Sequence, residues 1–162
     1  MKRENVTDIN LLLVDDEEEF VVAIAERLRK RKFTAECAFT GTEALNQLEK
    51  NNSIDVVILD IRLPDLNGVD VLKKIKTKNP LIEVIIISGY AAIDSAVESL
   101  KLGAFDYLEK PFELNDLISK AKQAAQKKRE REAKILDVKM RPYISEQERN
   151  ELILKILSER KL

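Results

Sequence analysis

The sequence predicts an α/β fold: a doubly wound, five-stranded parallel sheet with a helical C-terminal extension. Three observations support this. Short apolar runs alternate with segments whose apolar residues recur at helical spacing. Most of those runs stop at a polar or charged residue followed by turn formers. At 162 residues, 44% hydrophobic and 35% charged, the chain suits one domain of ordinary size with room for an appendage.

The first run, Ile9 to Val14, ends in Asp15-Asp16-Glu17. Residues 17 to about 31 then place Phe20, Val21, Ile24, Ala25 and Leu28 on one helical face. The cationic end of that helix, Arg27 to Lys32, lies where the dipole favours positive charge and reads as solvated. Phe33 to Phe39 is a second strand, with Cys37 inside it as a small buried residue. Gly41-Thr42 opens a helix through Ala44, Leu45 and Leu48. Val56 to Leu59 is apolar at consecutive positions, the pattern of a strand buried on both faces, and it stops at Asp60. Pro64, Asn67 and Gly68 form the following loop, and a helix with Val69, Val71, Leu72 and Ile75 runs to the break at Asn79-Pro80. Ile82 to Ile87 is the fourth strand, ending at Ser88-Gly89. A helix with Ala92, Ala96, Val97 and Leu100 stops at Gly103. Phe105 to Leu108 is the fifth strand, closed by Glu109-Lys110-Pro111-Phe112. A last helix starts near Glu113, with Leu114, Leu117, Ile118 and Ala121 on one side.

Such alternation, with short connections, gives right-handed crossovers. It brings Asp15, Asp16, Asp60, Ser88 and Lys110 to one edge of the sheet, where open α/β sheets bind ligands. Singly, each has a plain reading: Asp60 ends a strand, Asp15 caps a helix, Ser88 sits in a turn and Tyr107 is core. Three carboxylates in one crevice repel each other, and a hard divalent cation with oxygen ligands, Mg²⁺, resolves the repulsion. An aspartate can also act as a nucleophile toward phosphorus and form an acyl phosphate. A metal, Lys110 and the Ser88 hydroxyl would then offset the charge on the transferring group.

Composition excludes several classes. The formal net charge of −1 argues against a whole-molecule nucleic-acid or membrane surface. Cys37 is the one cysteine, so no internal disulfide forms and a reducing cytoplasm is expected. Histidine is absent, which rules out histidine metal sites, Ser-His triads and a phosphohistidine relay within the chain. MKRENVTD has no apolar signal region and no run nears the ~18 residues of a span, so no membrane partner is expected.

The segments LLLVDDE, VVILDIRLPDLNG, VIIISGY and GAFDYLEKPF, spread over roughly residues 6 to 125, resemble a two-component response-regulator receiver domain. The resemblance implies the flavodoxin-like, chemotaxis-regulator-like strand order 2-1-3-4-5. It implies that Asp60 accepts phosphoryl from a sensor histidine kinase or phosphotransfer protein, with Ser88 and Lys110 as the other catalytic groups. Mg²⁺ would be held by Asp16 directly, by Asp15 through water, by Asp60 and by the backbone carbonyl of Arg62. Lys110-Pro111 would be a cis peptide bond, and Ser88 with Tyr107 would form the switch, the ring turning inward when Ser88 moves. Arg62 and Tyr90, two residues beyond Asp60 and Ser88, would slow self-dephosphorylation by screening water. GYAAIDSAVESLKLGAFDYLEKPF resembles receivers of sigma-54-type regulators, yet no GxxxxGK[ST] is present. The expectation is a stand-alone receiver that catalyses only its own phosphorylation and dephosphorylation.

The division expected is a receiver over 1–125 and a helical extension over 126–162. Residues 113–162 hold 13 Lys/Arg and 9 Asp/Glu, against 15 and 20 in residues 1–112. Lys127 to Glu132 is a mixed-charge run that lets the fifth helix continue to about Val138, solvated or in a coiled coil. Leu114, Leu117, Ala121, Ala124, Ile135 and Leu136 are interrupted by that run, so no sustained heptad is read. Arg141-Pro142 breaks the helix. Ser145 to Glu148 is a capping box that opens a short amphipathic helix, about 145–159, carrying Leu152, Ile153, Ile156 and Leu157. A helix this short needs a packing partner: the receiver, a second copy in a homodimer, or a downstream protein. Two other classes are weighed. A minimal DNA-binding regulator would use the basic tail, against which its nine acids tell. An aspartate-nucleophile phosphatase would carry a second Asp where Arg62 stands.

Overall fold

The computed structural model describes residues 8–89 and 93–159. Strands β1 (Asn10–Val14), β2 (Thr34–Ala38), β3 (Val56–Asp60), β4 (Glu83–Ser88) and β5 (Asp106–Glu109) alternate with helices. These are α1 (Glu18–Lys30), α2 (Gly41–Lys50), α3 (Gly68–Lys78), α4 (Ile93–Lys101) and α5 (Leu114–Met140), with α6 (Glu146–Ser158) last. All pairings are parallel and the order is β2-β1-β3-β4-β5.

Consecutive apolar residues let the central strands feed both faces, because side chains alternate with period two. Leu11, Leu13, Ile58, Ile85 and Ile87 pack under α1 and α5. Leu12, Val14, Val57, Leu59, Val84 and Ile86 pack under α2, α3 and α4. The helices begin and end on the expected signals. Thr40 and Asn67 accept backbone N–H groups of α2 and α3 through their side chains. Gly103 has φ +104° just past α4, a conformation that favours glycine.

Two side chains lie elsewhere than the sequence suggests. Cys37 is half-buried, because β2 is an edge strand and α1 covers it incompletely; burial still pushes its thiol above the ordinary value. On α4, Ala96 is buried and Leu100 half-buried, while Val97 is 44% exposed. Ala92, assigned to the same helix face, lies outside the described residues.

Helix α5 runs unbroken for 27 residues, on past 125/126, as expected of a fifth helix continuing to about Val138, and the departure lies in where its charged run sits. Its buried stripe, Leu114, Leu117, Ala121 and Ala124, continues through Lys128, Arg131, Ile135 and Val138. The charged run is therefore not a solvated interruption. Lys128 Nζ lies 3.1 Å from Asp55, just before β3, and 2.6 Å from Glu132. Arg131 lies 3.1 Å from Glu83 at the start of β4 and also donates to the Glu159 carbonyl. Arg129 donates to the Asp8 carbonyl at 2.9 Å. Three basic side chains within one turn thus clamp α5 across the amino-terminal edge of the sheet. Val138 takes the place expected of Leu136, which is 58% exposed.

Helix α5 ends at Met140, and Arg141, ahead of Pro142, is extended at φ −68° and ψ 122°. Ser145 and Glu148 form the reciprocal capping box of α6. Ile156 then packs with Ile135 and Val138 of α5, beside half-buried Leu81 and Leu152. The partner that α6 requires is its own chain. No helix among the described residues is long and apolar enough to cross a membrane.

Glu83 and Arg131 are 1% and 6% exposed, so removing one partner strands a charge. Arg131→Ala is expected to cost about 3–5 kcal/mol in urea unfolding, whereas the pair Glu83→Leu with Arg131→Met recovers most of that loss. Equal losses in both proteins would mean that packing, not charge, holds α5 here.

Candidate functional site

The opposite, carboxyl-terminal edge of the sheet gathers the strand-final residues. Asp60 closes β3 in the centre of the sheet and is 6% exposed. The chain then turns so tightly that a Cβ on Gly68 would lie 2.5 Å from the Asp60 carbonyl oxygen, and only glycine fits there. Asp65 secures the same loop by accepting from the N–H groups of Gly41 and Thr42, both at 2.9 Å, and from the Thr42 hydroxyl at 2.6 Å. Those bonds, the Thr42 hydroxyl first, hold its carboxyl far below the usual range.

Asp15 follows β1, is fully buried, and accepts from the Glu17 N–H at 3.0 Å. Asp16 beside it is exposed. One carboxylate oxygen from each of Asp15, Asp16 and Asp60 falls within a 4.8 Å cluster. Lys110, one residue past β5, donates to Asp15 at 2.7 Å and to Asp60 at 3.0 Å, with Glu17 3.5 Å away. Its backbone N–H bonds to the carbonyl of buried Ser88 at 2.8 Å, and its peptide bond to Pro111 is cis. Arg62 presents its N–H to the second Asp60 oxygen at 3.0 Å. Tyr107 lies on edge strand β5, 36% exposed, and so is not core. Tyr90 lies outside the described residues.

Electrostatics follow from this packing. Burial raises the Asp60 carboxyl, the N–H of Arg62 and the Lys110 ammonium pull it back, and the nearby Asp15 charge raises it further. Burial opposes the Lys110 charge, but the hydrogen bonds to Asp15 and Asp60 outweigh it and hold the ammonium above the ordinary lysine range. Sequence reasoning brought together Asp15, Asp16, Asp60, Ser88 and Lys110. It missed Glu17 and Asp65, whose roles depend on contacts across loops; the turn composition around Pro64 was the one available signal for Asp65.

The donor set suits magnesium: three carboxylates, all hard oxygen ligands, with one of them open to solvent so that waters can complete the shell. The same crevice sets the buried Asp60 carboxylate beside the Lys110 ammonium, and chemistry at such a carboxylate and cation includes phosphoryl transfer.

Residues 11–122 match the family model for the response regulator receiver domain, and the chain belongs to that family. An NtrX-like response regulator of Rickettsia felis is 39% identical over 123 residues, which are 75% of this chain and 26% of that one. The photosynthetic apparatus regulatory protein RegA of Rhodobacter capsulatus is 37% identical over 68% of this chain and 60% of its own. The chain thus spans about a quarter of the NtrX-like relative. A receiver domain from Clostridium thermocellum superposes with a TM-score of 0.72 at 37% identity, covering 75% of this chain and 97% of that one. NtrX from Brucella abortus, solved with ADP, gives 0.74 at 30% identity over 91% of this chain and 33% of its own. That coverage takes in part of the helices beyond residue 122.

The raised Lys110 ammonium carries a pH signature. The folded state keeps its proton above the unfolded value of ~10.4, so the Lys110 contribution is complete below that pH and lost as pH rises toward the higher folded value. Urea unfolding between about pH 9 and 12 is expected to show a steeper alkaline loss of stability for wild type than for Lys110→Gln. Parallel curves would show that Lys110 gains no such stabilisation.

Proposed function

We propose that this chain is a phosphorylation-controlled receiver whose Asp60 takes phosphoryl from the phosphohistidine of a sensor kinase or phosphotransfer protein. What supports this most is one contact: a half-buried Lys110 ammonium on the buried Asp60 carboxylate, next to two further aspartates. In the transfer, an Asp60 oxygen forms a bond to phosphorus as the P–N bond to imidazole breaks, and the imidazole leaves with the electron pair. Asp15, Asp16, Asp60 and the Arg62 carbonyl would hold Mg²⁺, which when bound offsets charge on the transferring group. Lys110 balances negative charge from the protein side, and the Ser88 hydroxyl donates to a phosphoryl oxygen.

Switching follows from the same groups. Ser88 drawn toward the phosphoryl would vacate space beside β5, and exposed Tyr107 would turn into it, altering the surface of α4, β5 and α5. Output would run through a downstream protein or a homodimer in the cytoplasm. The chain would be no metabolic enzyme, its chemistry being confined to Asp60. A nucleic-acid role for the tail is disfavoured, because Lys128 and Arg131 are engaged with Asp55 and Glu83.

Phosphoramidate has the P–N bond of the natural donor and tests this directly. Intact-mass measurement is expected to show one phosphoryl added to wild type with Mg²⁺ and none to Asp60→Ala. Lys110→Met is expected to react on the order of 10²-fold more slowly. Equal labelling of wild type and Asp60→Ala would refute the proposal.

A further inference from the structure

Phe20 belongs to the first helix face, and sequence spacing assigns it to the core. It is only half-buried: it packs against the rim of the core shared by the sheet, α1 and α5, and its ring also reaches the site. The Lys110 ammonium stands 5.0 Å from the centre of its ring, within the distance at which a cation is drawn to an aromatic face. Phe112 meets the same ring at 6.1 Å between centroids and 73° between planes, a T-shaped contact. The segment Lys110-Pro111-Phe112 therefore straddles Phe20, with a cation at 110 and a second ring at 112.

This arrangement addresses a problem that the two carboxylates leave open. Lysine carries its charge on a flexible four-carbon stem with freely rotating donors, so carboxylates attract the ammonium without fixing where it sits. Glu17, 3.5 Å away and largely exposed, offers it a third carboxylate on the solvent side. A ring face attracts a cation without taking a hydrogen-bond donor from it. It therefore biases position while leaving the N–H groups for oxygen.

We infer that Phe20 is a positioning residue for the phosphoryl-transfer site: its ring face, braced by Phe112, seats the Lys110 ammonium between Asp15 and Asp60. The inference rests on the proposed role of Lys110 for its kinetic consequence, but not for the seat itself. It attributes to the aromatic character of residue 20 an effect that packing volume alone does not supply.

Fluorinated phenylalanines at position 20 separate the two, because fluorine drains the ring face of negative charge with little change of shape. Two readouts apply to the full chain. The first is the NMR shift of the Lys110 ε-methylene, which an overlying ring displaces; Phe20→Leu is expected to abolish the displacement and Phe20→Tyr to keep it. The second is the Mg²⁺-dependent phosphorylation rate with phosphoramidate. It is expected to fall stepwise with each added fluorine and by about three- to tenfold in Phe20→Leu, a loss of ~0.7–1.4 kcal/mol that cation–π contacts can supply. Phe20→Tyr is expected to stay near wild type. A Lys110 resonance indifferent to Phe20→Leu overturns the seat, and so does a flat fluorine series in proteins that phosphorylate normally. If no variant, wild type included, takes phosphoryl onto Asp60, the proposed function fails, and the NMR result alone decides whether Phe20 seats Lys110.

Discussion

One ammonium group holds the functional edge of this molecule together. Lys110 starts beyond β5, two strands away from β3, yet its side chain ends on both Asp60 and Asp15. The backbone bond from Lys110 to Ser88 fixes its root on β4, and the four-carbon stem spans the remaining distance. Two carboxylates from neighbouring strands, both buried, would repel each other without that charge between them. The parallel order β2-β1-β3-β4-β5 matters to function for this reason: it sets β1 beside β3 and leaves β4 as the bridge to Lys110.

The two ends of the sheet handle charge in opposite ways. At the carboxyl-terminal edge, acids outnumber the cation that touches them, and exposed Asp16 keeps the crevice open to water and ions. At the amino-terminal edge, Asp55 and Glu83 are matched singly by Lys128 and Arg131, and α5 covers them. Buried pairs of this kind add little net stability over apolar packing, but a mispaired arrangement would strand charges. They therefore fix where α5 lies, and with it α6, since Arg131 also donates to the carbonyl of Glu159, the residue that follows α6. One edge is left reactive and the other is closed.

Much of this was legible in the sequence because it depended on local order. Alternating apolar runs gave the strands, and strand-final position was enough to collect Asp15, Asp60, Ser88 and Lys110. Pro142, Gly103 and the Ser145–Glu148 capping box marked their helix ends through backbone preference alone. What could not be read depended on partners distant in the chain. Arg131 and Glu83 are 48 residues apart and Lys128 and Asp55 are 73, so a run of basic residues looked solvated when it was clamped. The heptad stripe of α5 was masked for the same reason: two of its inward positions are charged. Val97 and Leu136 were placed inward by apolar character, which biases burial without dictating it. Phe20 packs at the rim of the core as its spacing predicts, and its contact with a cation was not legible because Lys110 is 90 residues away in the chain.

The central claim is that Asp60, among three clustered aspartates, is the group that carries the phosphoryl. Borohydride trapping distinguishes them, since it reduces an aspartyl phosphate to homoserine at the residue that bore it. After incubation with a phosphoryl donor and Mg²⁺, peptide mapping by mass spectrometry is expected to find homoserine at position 60 and aspartate retained at 15 and 16. Homoserine at position 15 or 16, or none anywhere after labelling, would contradict the account.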